Sequence, residues 1–287
     1  MCRGSTSMTK TIEKISKLVN DFYSLGYEKD LTKLVDIYKD IVMARNELSV
    51  ESGFKDYFDM QLNRIHKVPT EEFKKYTENR TAFSKTYNPK LVNFTLPTHF
   101  LEKLNKLDIS IPDGVFQLFN DYPEITNTKD RINIKIENKQ ASFKFLPEQD
   151  AYNISIPQTN HNQYIAMLIH ELSHVVCQEK TNHQISTLYE SEKGALEIEL
   201  KITKKLSGHF QLANIQEYIT CLIRTEFEQL IFQNPNQNIG QVYLQCVEKY
   251  LGKPNNNLEF EYLKDNKIIM KPLTDLSTAV TLVSLTT

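Results

Sequence analysis

The sequence contains no tryptophan, only eight glycines and only four cysteines in 287 residues. None of the glycines sits in a GxxxxGK[ST] loop, so a backbone cradle for nucleotide phosphates is excluded. The cysteines (Cys2, Cys177, Cys221 and Cys246) are widely spread and form no CxxC pair, which argues against a zinc ribbon or a disulfide framework. Three of them fall in apolar helical patterns and read as buried free thiols in a reducing compartment. The missing tryptophan, beside frequent Asn and Lys, reflects coding bias rather than function. No apolar run approaches the roughly 18 residues needed to span a bilayer. Neither charge sign dominates: 34 Lys and Arg face 36 Asp and Glu, so no field points to nucleic acid or acidic lipid. The opening stretch to Lys10 is polar and lacks the apolar core of a secretory signal, and Met8 offers a second natural start. A cytoplasmic site of action is expected, with export by a route without a cleaved signal as the alternative.

What is present describes an ordinary globular protein. Apolar residues make up 40% and charged residues 24%, and the length allows one large domain or two small ones. Residues 9–128 are predicted to be a helical part, with helices from about 9 to 65 broken at Gly26 and Gly53. A further helix should start after Pro69 and run to about Ala82, followed by irregular chain over 85–128. The period changes at Ile132, Ile134 and Ile136, then Phe143 and Phe145, then Tyr152, Ile154 and Ile156. This alternation predicts three short strands, the first pair joined at Asn138-Lys139, in a small antiparallel sheet. A helical period returns at Ile165, Leu168, Ile169, Leu172, Val175 and Val176. Further helices are expected over about 186–206, 211–233 and 238–251. Residues 129–252 thus form a core with strands and helices, and 253–287 a tail that reads as weakly strand-like or loose. No linker divides the chain into independent domains.

Within the helix after the strands lies His170-Glu171-Leu172-Ser173-His174, an HExxH pattern. Positions i and i+4 share one helix face, so both imidazoles can reach one ion. Zinc accepts imidazole nitrogen and, to be catalytic, needs three protein ligands and an open position. Glu171 is the candidate general base for water at that position. The third ligand should come from the next helix, which offers Glu190, Glu192, Glu197 and Glu199. A ligand helix must pack closely, and Glu192 is followed by the small Gly194 and Ala195. Glu192 is therefore chosen, with Glu197 second. His161, His183, His209, His66 and His99 lack ligand spacing to the motif.

Three collinear segments then resemble the oligoendopeptidase F and thimet oligopeptidase family of zinc peptidases. One runs from Asp36-Ile37-Tyr38 through Arg45 to Gly53-Phe54-Lys55-Asp56-Tyr57. Another is the HELSH motif with Glu192-Lys193-Gly194-Ala195. The last is Ile223-Arg224-Thr225-Glu226-Phe227-Glu228, with Gly240 and Tyr250-Leu251-Gly252 beyond it. The resemblance implies a mostly α (α+β), zincin-like catalytic domain, a zinc ion on His170, His174 and Glu192, and a channel for short unfolded peptides paired with an edge strand. It also implies a late tyrosine that stabilises the oxyanion, for which Tyr262 is the candidate and Tyr250 a poorer one. The chain departs in being shorter and in carrying Cys177 where the family has a third His soon after the motif. Two other functions fit the pattern. One is a zincin effector or toxin that cuts a particular protein; the other is a retired scaffold that captures peptides. All three take a peptide or protein partner, and none needs nucleic acid or a membrane.

Overall fold

A computed structural model describes residues 4–27, 29–87, 111–137, 141–158, 161–206, 208–252 and 258–286. The chain falls into two compact units, one formed by residues 1–88 and 218–287 and the other by residues 89–217.

The first unit is helical. Helices α1 (Gly4–Leu25) and α2 (Leu31–Glu51) pack together, and Gly26, with φ of +73°, supplies the left-handed turn that ends α1. Asp30 caps α2 by accepting the Lys33 N–H. A short α3 (Tyr57–Met60) passes into a π-helical turn over Gln61–His66, where His66 Nδ1 lies 2.6 Å from Ser277 Oγ. Helix α4 runs over Thr70–Tyr87, one turn beyond the predicted end.

The late segment of this unit departs from the sequence expectation. Residues 266–270 and 276–286 are helices rather than loose or strand-like chain. The second of these packs on α4 and buries Leu276, Ala279, Val280, Leu282 and Val283. Apolar residues lie all round it, so no 3.6-residue period shows in the sequence, and its threonines and valines mimic a strand. Two predicted irregular stretches, Ile111–Leu118 and Pro123–Thr128, are likewise short helices, α5 and α6. Of the four prolines in that stretch, Pro112 and Pro123 sit in the first turns of α5 and α6, where a missing N–H is tolerated, and Pro89 and Pro97 lie outside the described residues.

In the second unit, β1 (Ile132–Glu137), β2 (Ser142–Leu146) and β3 (Ala151–Pro157) form the three predicted strands, but not as consecutive antiparallel neighbours. The order is β1-β3-β2, with β1 parallel to β3 (Ile132 opposite Tyr152) and β2 antiparallel to β3 (Phe143 opposite Ile154). The central place falls to β3, the strand whose Ala151, Tyr152, Ile154 and Ile156 are all buried. β1 keeps one side wet, and its Ile136, predicted to point inward, is 64% exposed. Behind the sheet lie α7 (His161–Lys180) and α8 (Leu188–Leu206). Leu168, Leu172, Val175 and Val176 of α7 join Ile198 and Ile202 of α8 and Ile154 and Ile156 of β3 in one core. The remaining helices are α9 (Gly208–Gln233), α10 (Ile239–Leu251), α11 (Asn266–Met270) and α12 (Leu276–Thr286). No helix among the described residues is long and apolar enough to cross a membrane.

A charge network fastens the late helices of the first unit. Arg224 Nη1 donates to Asp275 at 2.9 Å and its Nε to Asp265 at 2.5 Å, while Lys267 Nζ reaches Asp275 at 2.9 Å. Burial favours the neutral acid of Asp275, but the Lys267 and Arg224 charges outweigh it and hold the carboxyl below its ordinary 3.8. A depressed carboxylate contributes stability that is present above pH 3.8 and lost as the pH falls through its folded value. Asp275→Asn should therefore cost about 3 kcal/mol at pH 7, as a broken buried pair does. The gap to wild type should narrow in denaturant titrations carried down to pH 3 and below.

Candidate metal centre

Helix α7 brings the motif together because its apolar residues recur at helical spacing and leave His170 and His174 on a common face. Leu168, Ile169, Leu172, Val175 and Val176 are fully buried, so the helix cannot rotate to hide the imidazoles elsewhere. Ser173 causes no conflict inside this core, since its hydroxyl donates to the Ile169 carbonyl at 2.8 Å.

The two imidazole Nε2 atoms lie 3.2 Å apart. Glu192 of α8 supplies the third donor, with Oε2 3.7 Å from His170 Nε2 and Oε1 3.6 Å from His174 Nε2. Four-coordinate zinc, with bonds of about 2.0–2.1 Å, needs ligand atoms about 3.3 Å apart. The cluster of His170, His174 and Glu192 is therefore the right size and chemistry to hold such an ion. It is partly open, since the side chains of His170 and Glu192 retain 25% and 17% of their accessible surface.

Both imidazoles have a partner at the remote nitrogen. His170 Nδ1–H donates to Glu199 Oε2 at 2.8 Å, and His174 Nδ1 lies 3.1 Å from Ser191 Oγ. In the tautomer that leaves Nε2 its lone pair, Nδ1 of His174 donates to that hydroxyl. Such contacts fix ring orientation and direct Nε2 toward the metal. Phe143 of β2 stacks on His174 with centroids 5.5 Å apart, adding an apolar wall.

The acids polarise the metal-free cluster. Burial opposes a charge on His170, but the Glu199 hydrogen bond and the charges of Glu199, Glu192 and Glu171 outweigh it and hold the imidazole up at about 10. For His174, burial prevails together with His170 over the pull of Glu192, and the value falls to about 4. Glu171 is pushed up to about 7, chiefly by burial, with His170 acting against it and Glu192 and Glu199 with it. A carboxyl poised near neutrality suits a group that must take and return a proton.

Of the four acids considered on α8, Glu192 joins the imidazoles and Glu197 does not, because five residues of helix turn it away toward Cys177. Glu190 is exposed and closes the helix start by accepting from Ser186, while its own N–H donates to Thr187 Oγ1. Glu199, weighed in the sequence only as a possible ligand, and Ser191, not weighed at all, are the partners of the remote nitrogens. The spacing of seven between Glu192 and Glu199, two helical turns on one face, was the available signal. Tyr262 lies in the core of the first unit, fully buried with Tyr38, Phe227 and Tyr243 rings at 5.2–5.6 Å, and burial raises its phenol further. Its hydroxyl has no hydrogen-bond partner among the described residues. Tyr250 is buried and donates to Glu226. His183 stacks on Phe145 at 4.0 Å; His99 lies outside the described residues.

This arrangement sits on a mostly α, zincin-like fold with a small mixed sheet. No protein-family model and no curated protein matches the chain by sequence. Among solved structures it is similar to metallocarboxypeptidase 1 of Trypanosoma cruzi (TM-score 0.64, 12% identity, 95% of this chain and 66% of that one). It is also similar to PZ peptidase A with a bound inhibitor (TM-score 0.56, 13% identity, 88% and 54%). A protein described as an oligoendopeptidase F from Bacillus anthracis str. Ames matches at a TM-score of 0.53 with 12% identity, over 87% and 52%. The chain thus spans between about half and two thirds of the length of these structures.

Glu199→Gln keeps the size of the side chain but removes the charge behind His170. It should weaken the binding of added zinc by about 10-fold or more. Chelator competition on the folded variant would show this, and an unchanged dissociation constant would remove Glu199 from the metal centre.

Proposed function

We propose that this chain is a zinc-dependent peptidase that hydrolyses short or unfolded peptides. The observation that carries the reading is the triangle of His170 Nε2, His174 Nε2 and the Glu192 carboxylate, with edges of 3.2–3.7 Å, beside the buried Glu171. The fold shared with peptidases supports it.

A zinc ion bound there would supply Lewis-acid polarisation of the scissile carbonyl and acidify the attacking water. The protein's part begins with Glu171, which takes the proton of the attacking water and passes it to the leaving amine. Glu199 and Ser191 keep His170 and His174 in the tautomers that direct Nε2 inward. Strand β2 is an outer strand of the sheet and carries Phe143 against His174, which favours it for pairing with an extended substrate. The buried Tyr262 is assigned a packing role. Buried cysteines outside any disulfide at Cys177, Cys221 and Cys246 favour a reducing, cytoplasmic site of action.

Zinc-loaded protein should cut members of a mixed peptide library, read by mass spectrometry. Glu171→Gln should keep the metal and lose about 10²–10⁴-fold in rate, the range for a general base. Removal of zinc by a chelator should abolish cleavage, and added zinc restore it. If both proteins hold zinc and neither cuts peptides, the oligopeptidase reading fails. Cleavage confined to one protein substrate would favour a protein-directed enzyme, and capture without cleavage a retired scaffold.

A further inference from the structure

Helices α7 and α8 meet at Cys177 and Gly194, and the space there is closed. A Cβ placed on Gly194 would lie 2.1 Å from Cys177 Sγ and 3.4 Å from Cys177 Cβ. Carbon and sulfur atoms pack at about 3.5–4.0 Å, so relieving the first contact requires a shift of about 1 Å or more. The sulfur has little room to yield. Cys177 is 9% exposed inside the apolar cluster, and one of its three staggered rotamers is rare in a helix.

The location gives this contact its meaning. Cys177 lies three residues after His174, and Gly194 two residues after Glu192. The same stretch of α8 carries Ser191, whose hydroxyl meets His174. Metal–ligand distances tolerate about 0.2 Å. A helix displacement of about 1 Å is several times that tolerance, so Glu192 would meet an ion held by the two imidazoles only from a changed side-chain geometry.

We propose that the Cys177–Gly194 crossing is a positioning element for the metal centre, setting the helix separation at which Glu192 completes the His170–His174 pair. The proposal rests on the metal-site reading above, and metal binding rather than catalysis tests it.

The measurement is the zinc dissociation constant of the metal-free full chain, by competition with a chromogenic chelator. The visible spectrum of the cobalt-loaded protein would report ligand geometry. Gly194→Ala should bind zinc about 10–100-fold more weakly, the range for residues that orient ligands, with altered cobalt bands. Cys177→Ala removes the sulfur without creating a clash and should weaken binding far less. In the double variant Cys177→Ala/Gly194→Ala the two Cβ atoms would stand 3.4 Å apart, an ordinary contact, so affinity and spectrum should return toward wild type. A folded Gly194→Ala with wild-type affinity would overturn the proposal, as would a double variant that binds as weakly as the single one. Should Gly194→Ala not fold, the double variant decides: one that folds and binds supports the crossing, and one that does neither overturns it. Wild-type protein that takes up no zinc would defeat the metal-site reading itself, so the two failures are separable.

Discussion

The packing of α8 against α7 is the constraint on which the site depends, because neither helix alone carries a complete donor set. α7 offers two imidazoles and the buried Glu171; α8 offers the third donor and the partners of both remote nitrogens. The apolar seam sets this arrangement more than the polar contacts do. Each fully buried Leu, Ile or Val contributes about 1.5–3 kcal/mol, and Leu168, Leu172, Val176, Ile198 and Ile202 all lie in one cluster. A hydrogen bond to a charged group contributes about 1.5–3 kcal/mol and a neutral one about 0.5–1.5 kcal/mol, and the imidazoles have one of each, to Glu199 and to Ser191. Packing therefore decides where the helices lie, and the hydrogen bonds decide which way the rings face.

Charge is concentrated in a small volume. Glu171, Glu192 and Glu199 surround His170 and His174, and all lie largely out of water. The surrounding carboxylates favour a proton on His170, and burial favours one on Glu171. A divalent cation would do the same work more locally, since its ligands must give up their protons. Protons and a cation would thus compete for one set of groups, and the cluster is suited to either.

Much of this was legible in the chain itself, where local spacing carried the information. HELSH specifies its geometry through a helical turn, and Glu192, chosen for the small residues after it, lies beside the two imidazoles. Strand existence was equally plain in the alternation around Ile134, Phe143 and Ile154. Strand order was not, because alternation reports which side is buried and not which neighbour is paired. Ser191, and the contact of Glu199 with His170, escaped because each meets the remote nitrogen of an imidazole, and such partners have no motif of their own. The helix over 276–286 was hidden for another reason: burial on every side erases the period from which helices are read, and its β-branched residues suggest a strand.

The strand order also bears on the sequence of events in folding. β2 and β3 are linked by a few residues, with Leu146 opposite Ala151, so their pairing closes a very short loop. β1 reaches β3 only across the whole intervening hairpin, with Ile132 opposite Tyr152. Closing the longer loop carries more entropy loss, and non-local pairs form later. The hairpin beside the motif helix is thus the natural seed of the sheet, and β1 the strand that seals it. Until β1 arrives, the future centre of the sheet is an edge, and the chain is most open there to pairing with another molecule.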